Sequence, residues 1–182
     1  MKPVASAAVV AAIAAFWTIT AIADAGCSVG DIGGIPGSTA APEEAQSCRL
    51  LGRIFCRMSE FRNANARPEN AIHQTVDWLQ RMSQTGSHLN RINYKPMVEG
   101  VAQYVYTQEP TPPWTSYYYG VYTCGANSHV KGDDDQARTL NKWELTAKRC
   151  EKQFPGQGDG YTNDPLRECL KKAVQLLTPD NN

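Results

Sequence analysis

The sequence predicts an all-α, disulfide-stapled small domain of five or six short helices following a cleaved signal peptide. Three observations carry that expectation. Apolar residues recur at three- and four-residue spacing in one segment after another. Prolines stand where helices begin (Pro68, Pro96, Pro113, Pro165) or just past their ends (Pro110, Pro112, Pro155). All six cysteines follow an export-like N-terminus, and an even count in an exported chain reads as three disulfides.

The export segment comes first. Lys2 is a short basic start, and residues 4–16 are almost entirely Ala, Val and Ile. Ala23-Asp24-Ala25 fits the small-x-small rule, which places cleavage after Ala25 and makes residues 1–25 the signal peptide. The run is marginal for crossing ~30 Å of hydrocarbon and lacks a basic stop-transfer flank, so no span is expected in the mature chain. Lipidation of Cys27 needs an apolar residue where Asp24 stands, and it would leave an odd number of other cysteines.

Residues 26–45 are rich in Gly, Ser, Ala and Pro and read as a flexible leader. Gly30, Gly33, Gly34 and Gly37 have no preceding strand and no following Gly-Lys-Ser/Thr, so they are not a phosphate loop. A single helical domain is expected over 46–182, divided into a helical core (46–126) and a helical hairpin (134–178).

The central helix runs from about Pro42 to Asn63. Leu51, Ile54, Phe55 and Met58 form its apolar seam, with Cys48 close to it and Cys56 on the far flank. Arg49, Arg53 and Arg57 step by four along a nearly opposite stripe. Gly52 either weakens this helix by roughly 1 kcal/mol or lets a neighbour approach closely. A second helix starts at Pro68 with Ile72, Val76, Leu79 and Met82 on its inner face. A third starts at Pro96 with Met97, Val101, Ala102 and Val105. A fourth starts at Pro113 and carries Trp114, Tyr117, Val121 and Cys124 on one side; Gly120 argues against a strand here. Asp133, Asp134 and Asp135 suit the N-terminus of a fifth helix, whose face is Leu140, Trp143, Ala147, Cys150 and Phe154. Asp164 and Pro165 open a sixth, with Leu166, Cys169, Leu170, Ala173 and Leu177 inward.

Cys150 lies five residues before Pro155 and Cys169 five residues after Asp164. Positions equidistant from the loop of an antiparallel hairpin face each other, so these two should pair. Closing that loop contributes about 3 kcal/mol, chiefly through the unfolded state. Cys48 and Cys124 both face the core and are expected to pair, which leaves Cys27 with Cys56.

Composition excludes several functions. Lys plus Arg and Asp plus Glu number 18 each, and a neutral chain lacks the basic footprint of a nucleic-acid binder. No Cys-x-x-Cys or Cys–His cluster has metal-ligand spacing, and no cofactor is expected. His73, His88 and His129 are isolated, and no Gly-x-Ser-x-Gly occurs. Glu43, Glu44 and Glu60 are isolated acids, so a glycan hydrolase is an alternative without a motif. Asp159, Asn163 and Asp164 miss the EF-hand spacing and read as turn and cap. No catalytic residue is assigned. Trp114, Tyr117, Tyr118, Tyr119 and Tyr122 fall within nine residues, too many for one helix face, so Tyr118 or Tyr119 should be exposed. Tyr118, Tyr119 and Tyr122, with the Arg49–Arg53–Arg57 stripe, are the candidate interface.

Residues 48–124 carry an early cysteine on a helix, then Val101-Ala-Gln-Tyr-Val-Tyr-Thr-Gln-Glu-Pro110, then an aromatic helix ending in Cys124. In this the chain resembles a loose class of small exported, disulfide-containing helical proteins of proteobacteria. Residues 101–124, a Val-x-x-Tyr helix, a proline-bearing turn and a helix closing on cysteine, are also similar to the Tai-type periplasmic immunity proteins. That resemblance implies an inhibitor of a cell-wall-cleaving effector. The expectation is therefore an exported, non-catalytic binding protein of the bacterial envelope, periplasmic or secreted, whose partner is another envelope or secreted protein. A cell-wall hydrolase and a structural or stress-related envelope protein without a stable partner are the alternatives.

Overall fold

The computed structural model describes residues 42–84, 93–127, 133–155 and 164–177. Residues 1–25, the expected signal peptide, and Cys27 lie outside the described residues. Among the described residues there are six helices: α1 (Pro42–Asn63), α2 (Pro68–Gln84), α3 (Lys95–Thr107), α4 (Pro113–Asn127), α5 (Asp133–Gln153) and α6 (Asp164–Leu177). Among the described residues there is no strand, so the fold is all-α. No helix of the described residues is long and apolar enough to cross a membrane. The first turn of α1 overlaps the stretch 26–45 assigned to the leader.

Local sequence accounts for the helix ends. Pro68 and Pro113 occupy the first residue of their helices, where a missing N–H costs no intrahelical bond. α1 stops in a turn where Ala66 N–H donates to Phe61 O and Asn65 N–H to Arg62 O, both at 2.9 Å. This is the Schellman pattern, with Asn65 at φ 57° in the left-handed region that its geometry requires.

The packing is organised by the crossing of α1 and α4. A Cβ on Gly52 would lie 2.7 Å from Val121 Cγ2 and 2.9 Å from the Tyr117 carbonyl oxygen. One on Gly120 would lie 2.9 Å from Gly52 Cα and 2.7 Å from Phe55 Cδ2. The two backbones are therefore in direct contact, and the close approach left open by Gly52 is realised. Cys48 and Cys124 are disulfide-bonded across the same pair of helices, with Cα atoms 5.2 Å apart. Cys150 and Cys169 join α5 to α6, with Cα atoms 5.8 Å apart. Cys56 is also disulfide-bonded; its expected partner Cys27 lies outside the described residues.

Two hydrophobic clusters flank this crossing. In one, Ile54, Phe55, Met58 and Phe61 of α1 meet Ala71, Trp78 and Leu79 of α2 and Val98, Val101, Ala102 and Val105 of α3. In the other, Trp114, Tyr117, Tyr118, Val121 and Tyr122 of α4 meet Trp143, Ala147 and Cys150 of α5 and Leu166, Leu170, Ala173 and Val174 of α6. Tyr119 packs against both.

That arrangement corrects the expected surface. Residues 54–61 of α1 are buried without interruption, Arg57 (4 % exposed) included. The Arg57 guanidinium lies 5.3 Å from the ring centres of both Phe61 and Trp78, so its charge is held over aromatic faces. Arg49 and Arg53 are half-buried. The stripe is covered because α1 has neighbours on more than one side.

Overpacking a helix contact costs about 1–3 kcal/mol, more than the roughly 1 kcal/mol of helix propensity that Gly to Ala returns. Gly52→Ala and Gly120→Ala should each lower stability in urea unfolding. Gly100 meets nothing within 4 Å, so Gly100→Ala should raise stability by up to about 1 kcal/mol in the same assay.

Candidate functional site

The second consequence of the crossing is an opening. α5 packs on α4 and α6, and among the described residues neither α1 nor α3 packs against it. A cleft of about 400 Å³ lies there. Its floor is α4, through Thr115, Ser116 and Tyr119. One wall comes from α1 and α3, through Phe55, Ser59, Arg62, Tyr104 and Val105. The other is α5, through Trp143, Glu144, Ala147, Lys148 and Glu151. Gln108, Glu109, Pro110 and Thr111, from the connector between α3 and α4, complete the lining.

Hydrogen bonds fix the connector and the floor. Ser59 Oγ donates to the Thr111 carbonyl at 2.8 Å and Asn63 Nδ2 to the same oxygen at 3.1 Å. Thr111 Oγ1 and Ser116 Oγ share a hydrogen bond at 2.8 Å. The Arg62 guanidinium donates to the Val105 carbonyl, and Tyr106 Oη donates to the Ala66 carbonyl at 3.0 Å. The end of α1 thus holds both the end of α3 and the turn into α4. Across the floor, Thr115 Oγ1 donates to Glu151 Oε1 at 2.6 Å, which aims that carboxylate.

Aromatic rings shape the first wall. Tyr104 and Tyr119 stack with centres 4.9 Å apart and planes at 9°, and Phe55 meets both rings edge-on at 5.9 and 5.2 Å. Burial pushes the Tyr119 phenol well above the ordinary range, and a hydrogen bond with Tyr104 and the nearby negative charge of Glu144 push the same way. Tyr119 therefore stays a neutral hydroxyl. Glu144, Lys148 and Glu151 recur at four and three residues on one face of α5.

Of the tyrosines expected at an interface, only Tyr119 reaches the cleft. Tyr118 (4 % exposed) is buried and Tyr119 is half-buried, which corrects the expectation that one of the two is exposed; Tyr122 (2 % exposed), expected at the interface, is buried as well. Tyr122 stacks on Trp143 at 5.4 Å, and Tyr118 meets Tyr117 edge-on at 5.1 Å. The reason is that α4 is covered on one side by α1 and on the other by α5 and α6, so it has two inner faces. Arg49, Arg53 and Arg57 do not line the cleft.

His73 pairs with Asp77 one turn on, at 3.3 Å on an exposed face. His88, His129, Asp159 and Asn163 lie outside the described residues. Glu60 is buried and does not line the cleft. Among the described residues no thiol is free and no three His, Cys, Asp or Glu side chains group as a metal site. Tyr104, Thr115, Glu144 and Glu151 were missed from sequence. The one signal for them was the acidic spacing on the polar face of α5, which by itself reads as a solvated face.

The Tyr118 hydroxyl is buried without a hydrogen-bond partner among the described residues. Leaving a buried hydroxyl unpaired costs about 1–3 kcal/mol, so Tyr118→Phe should raise stability by about 1 kcal/mol in urea unfolding. A Tyr118 that served an exposed interface would show no such gain.

No protein-family model matches this sequence, and neither a curated protein nor a solved structure matches it.

Proposed function

We propose that this chain is an exported, non-catalytic binding protein of the bacterial envelope, periplasmic or secreted, and that the cleft docks a segment of another envelope or secreted protein. The cleft carries this reading. It joins the Tyr104 and Tyr119 rings with their phenol hydroxyls to a wall carrying Glu144 and the oriented carboxylate of Glu151, within a framework stapled by hydrogen bonds. Aromatic anchors beside oriented polar groups are what protein interfaces concentrate at their centres. Disulfides in α1–α4 and α5–α6 support export, because such bonds persist in oxidising compartments.

The sharper version is an inhibitor whose partner is a cell-wall-cleaving effector; it rests on the resemblance of residues 101–124 to Tai-type immunity proteins. A second reading, hydrolysis of a wall glycan, draws on Glu144 and Glu151 sharing one wall of the cleft, since glycoside hydrolysis uses paired carboxylates. A structural protein with no stable partner gives the cleft no role.

The test uses the oxidised chain from Gly26 as bait in envelope and secreted extracts, with captured species identified by mass. One stoichiometric protein is expected. Gln108→Trp and Lys148→Trp, at exposed positions on the cleft lining, should each reduce its capture by about tenfold or more. Capture indifferent to both variants moves docking elsewhere. Release of soluble glycan fragments, abolished by Glu151→Gln, replaces binding with hydrolysis. No captured species favours the structural reading.

A further inference from the structure

We propose that the cleft receives an arginine side chain presented by the partner protein, a reading that rests on the docking role above. The lining holds three carboxylates, Glu109, Glu144 and Glu151. Among the described residues none of them is in an ion pair. Two bases share the lining. Arg62 is committed to the Val105 carbonyl, and Lys148 is exposed on the α5 wall. The carboxylates are thus left for an incoming cation; Glu109 and Glu144 are exposed, and half-buried Glu151 is the one whose attraction is screened less than in open water.

Two features favour a guanidinium over other cations. Thr115, itself 8 % exposed, fixes Glu151 Oε1 at 2.6 Å, so the acceptor is oriented before anything binds. A planar fork of donors matches an oriented carboxylate, whereas an ammonium is only a point charge. The α3 wall and the α4 floor supply the Tyr104 and Tyr119 rings, which stack on each other and leave one face each, and guanidinium groups stack on aromatic faces. This chain already uses that contact, with Arg57 over Trp78 at 5.3 Å and Arg167 over Trp114 at 5.6 Å. A cleft of about 400 Å³ exceeds one such side chain and admits the flanking backbone.

The experiment titrates the oxidised chain with acetyl-Gly-Arg-Gly-amide and with the same peptide carrying citrulline, the neutral isostere, in a calorimeter. The arginine peptide should bind at least about tenfold more tightly than the citrulline peptide. Its affinity should fall between about 0.05 and about 0.5 M salt. Glu151→Gln should lose the preference. Glu144→Gln, at an exposed position where folding is not at stake, should weaken it several-fold with helical circular dichroism unchanged. Equal affinity for the two peptides, no binding of either, or a preference untouched in both variants would overturn the proposal. A partner captured through the cleft whose binding ignores both glutamine variants sinks the arginine assignment and leaves the docking role standing.

Discussion

The contact between Gly52 and Gly120 is the constraint on which the rest of this structure depends. Two helices whose backbones touch cannot carry side chains at the point of contact, so both positions must lack a Cβ. The close approach then forces the neighbouring side chains outward to either side. Ile54, Phe55, Met58 and Phe61 turn toward α2 and α3, while Trp114, Tyr118 and Tyr122 turn toward α5 and α6. One crossing thereby organises two hydrophobic clusters, and the Cys48–Cys124 bond closes it covalently.

The cleft follows from the same geometry. Cys56 of α1 and Tyr119 of α4 join the two clusters, while α5 is held by α4 and α6 and, among the described residues, stands apart from α1 and α3. The gap would be a weakness if its floor were apolar and loose. Instead the serine and threonine hydroxyls at 59, 111, 115 and 116 are each engaged in a hydrogen bond. Buried polar groups that are satisfied rigidify their surroundings. Here they hold the connector between α3 and α4 against the end of α1 and aim Glu151 across the floor. The site is preorganised by groups that belong to the core.

Much of the fold was legible in the sequence. The prolines at 68, 96 and 113 and the three-and-four apolar spacing placed the helices to within a few residues, because both signals are local. The Cys150–Cys169 pair was legible because hairpin geometry relates positions equidistant from a short loop. What failed was the inference from helix face to surface. Arg57 was read as outward from a single apolar seam, and Tyr118 and Tyr122 as parts of an interface, yet α1 and α4 each have two inner faces. A helical wheel cannot reveal a second neighbour. The cleft was illegible for a related reason. It is bounded by α1, α3, α4 and α5, and the separation of α5 from α1 and α3 is a tertiary relation that no local pattern encodes. Glu144 and Glu151 therefore looked like any solvated polar face.

Amide hydrogen exchange, resolved by residue, tests the primacy of the crossing most directly. If the contact of α1 and α4 holds the molecule together, the amides of residues 52–58 and 117–122 should be its slowest to exchange and should open together, with one common free energy. Exchange of residues 117–122 ahead of the α5–α6 hairpin, or protection of α1 independent of α4, would contradict the account.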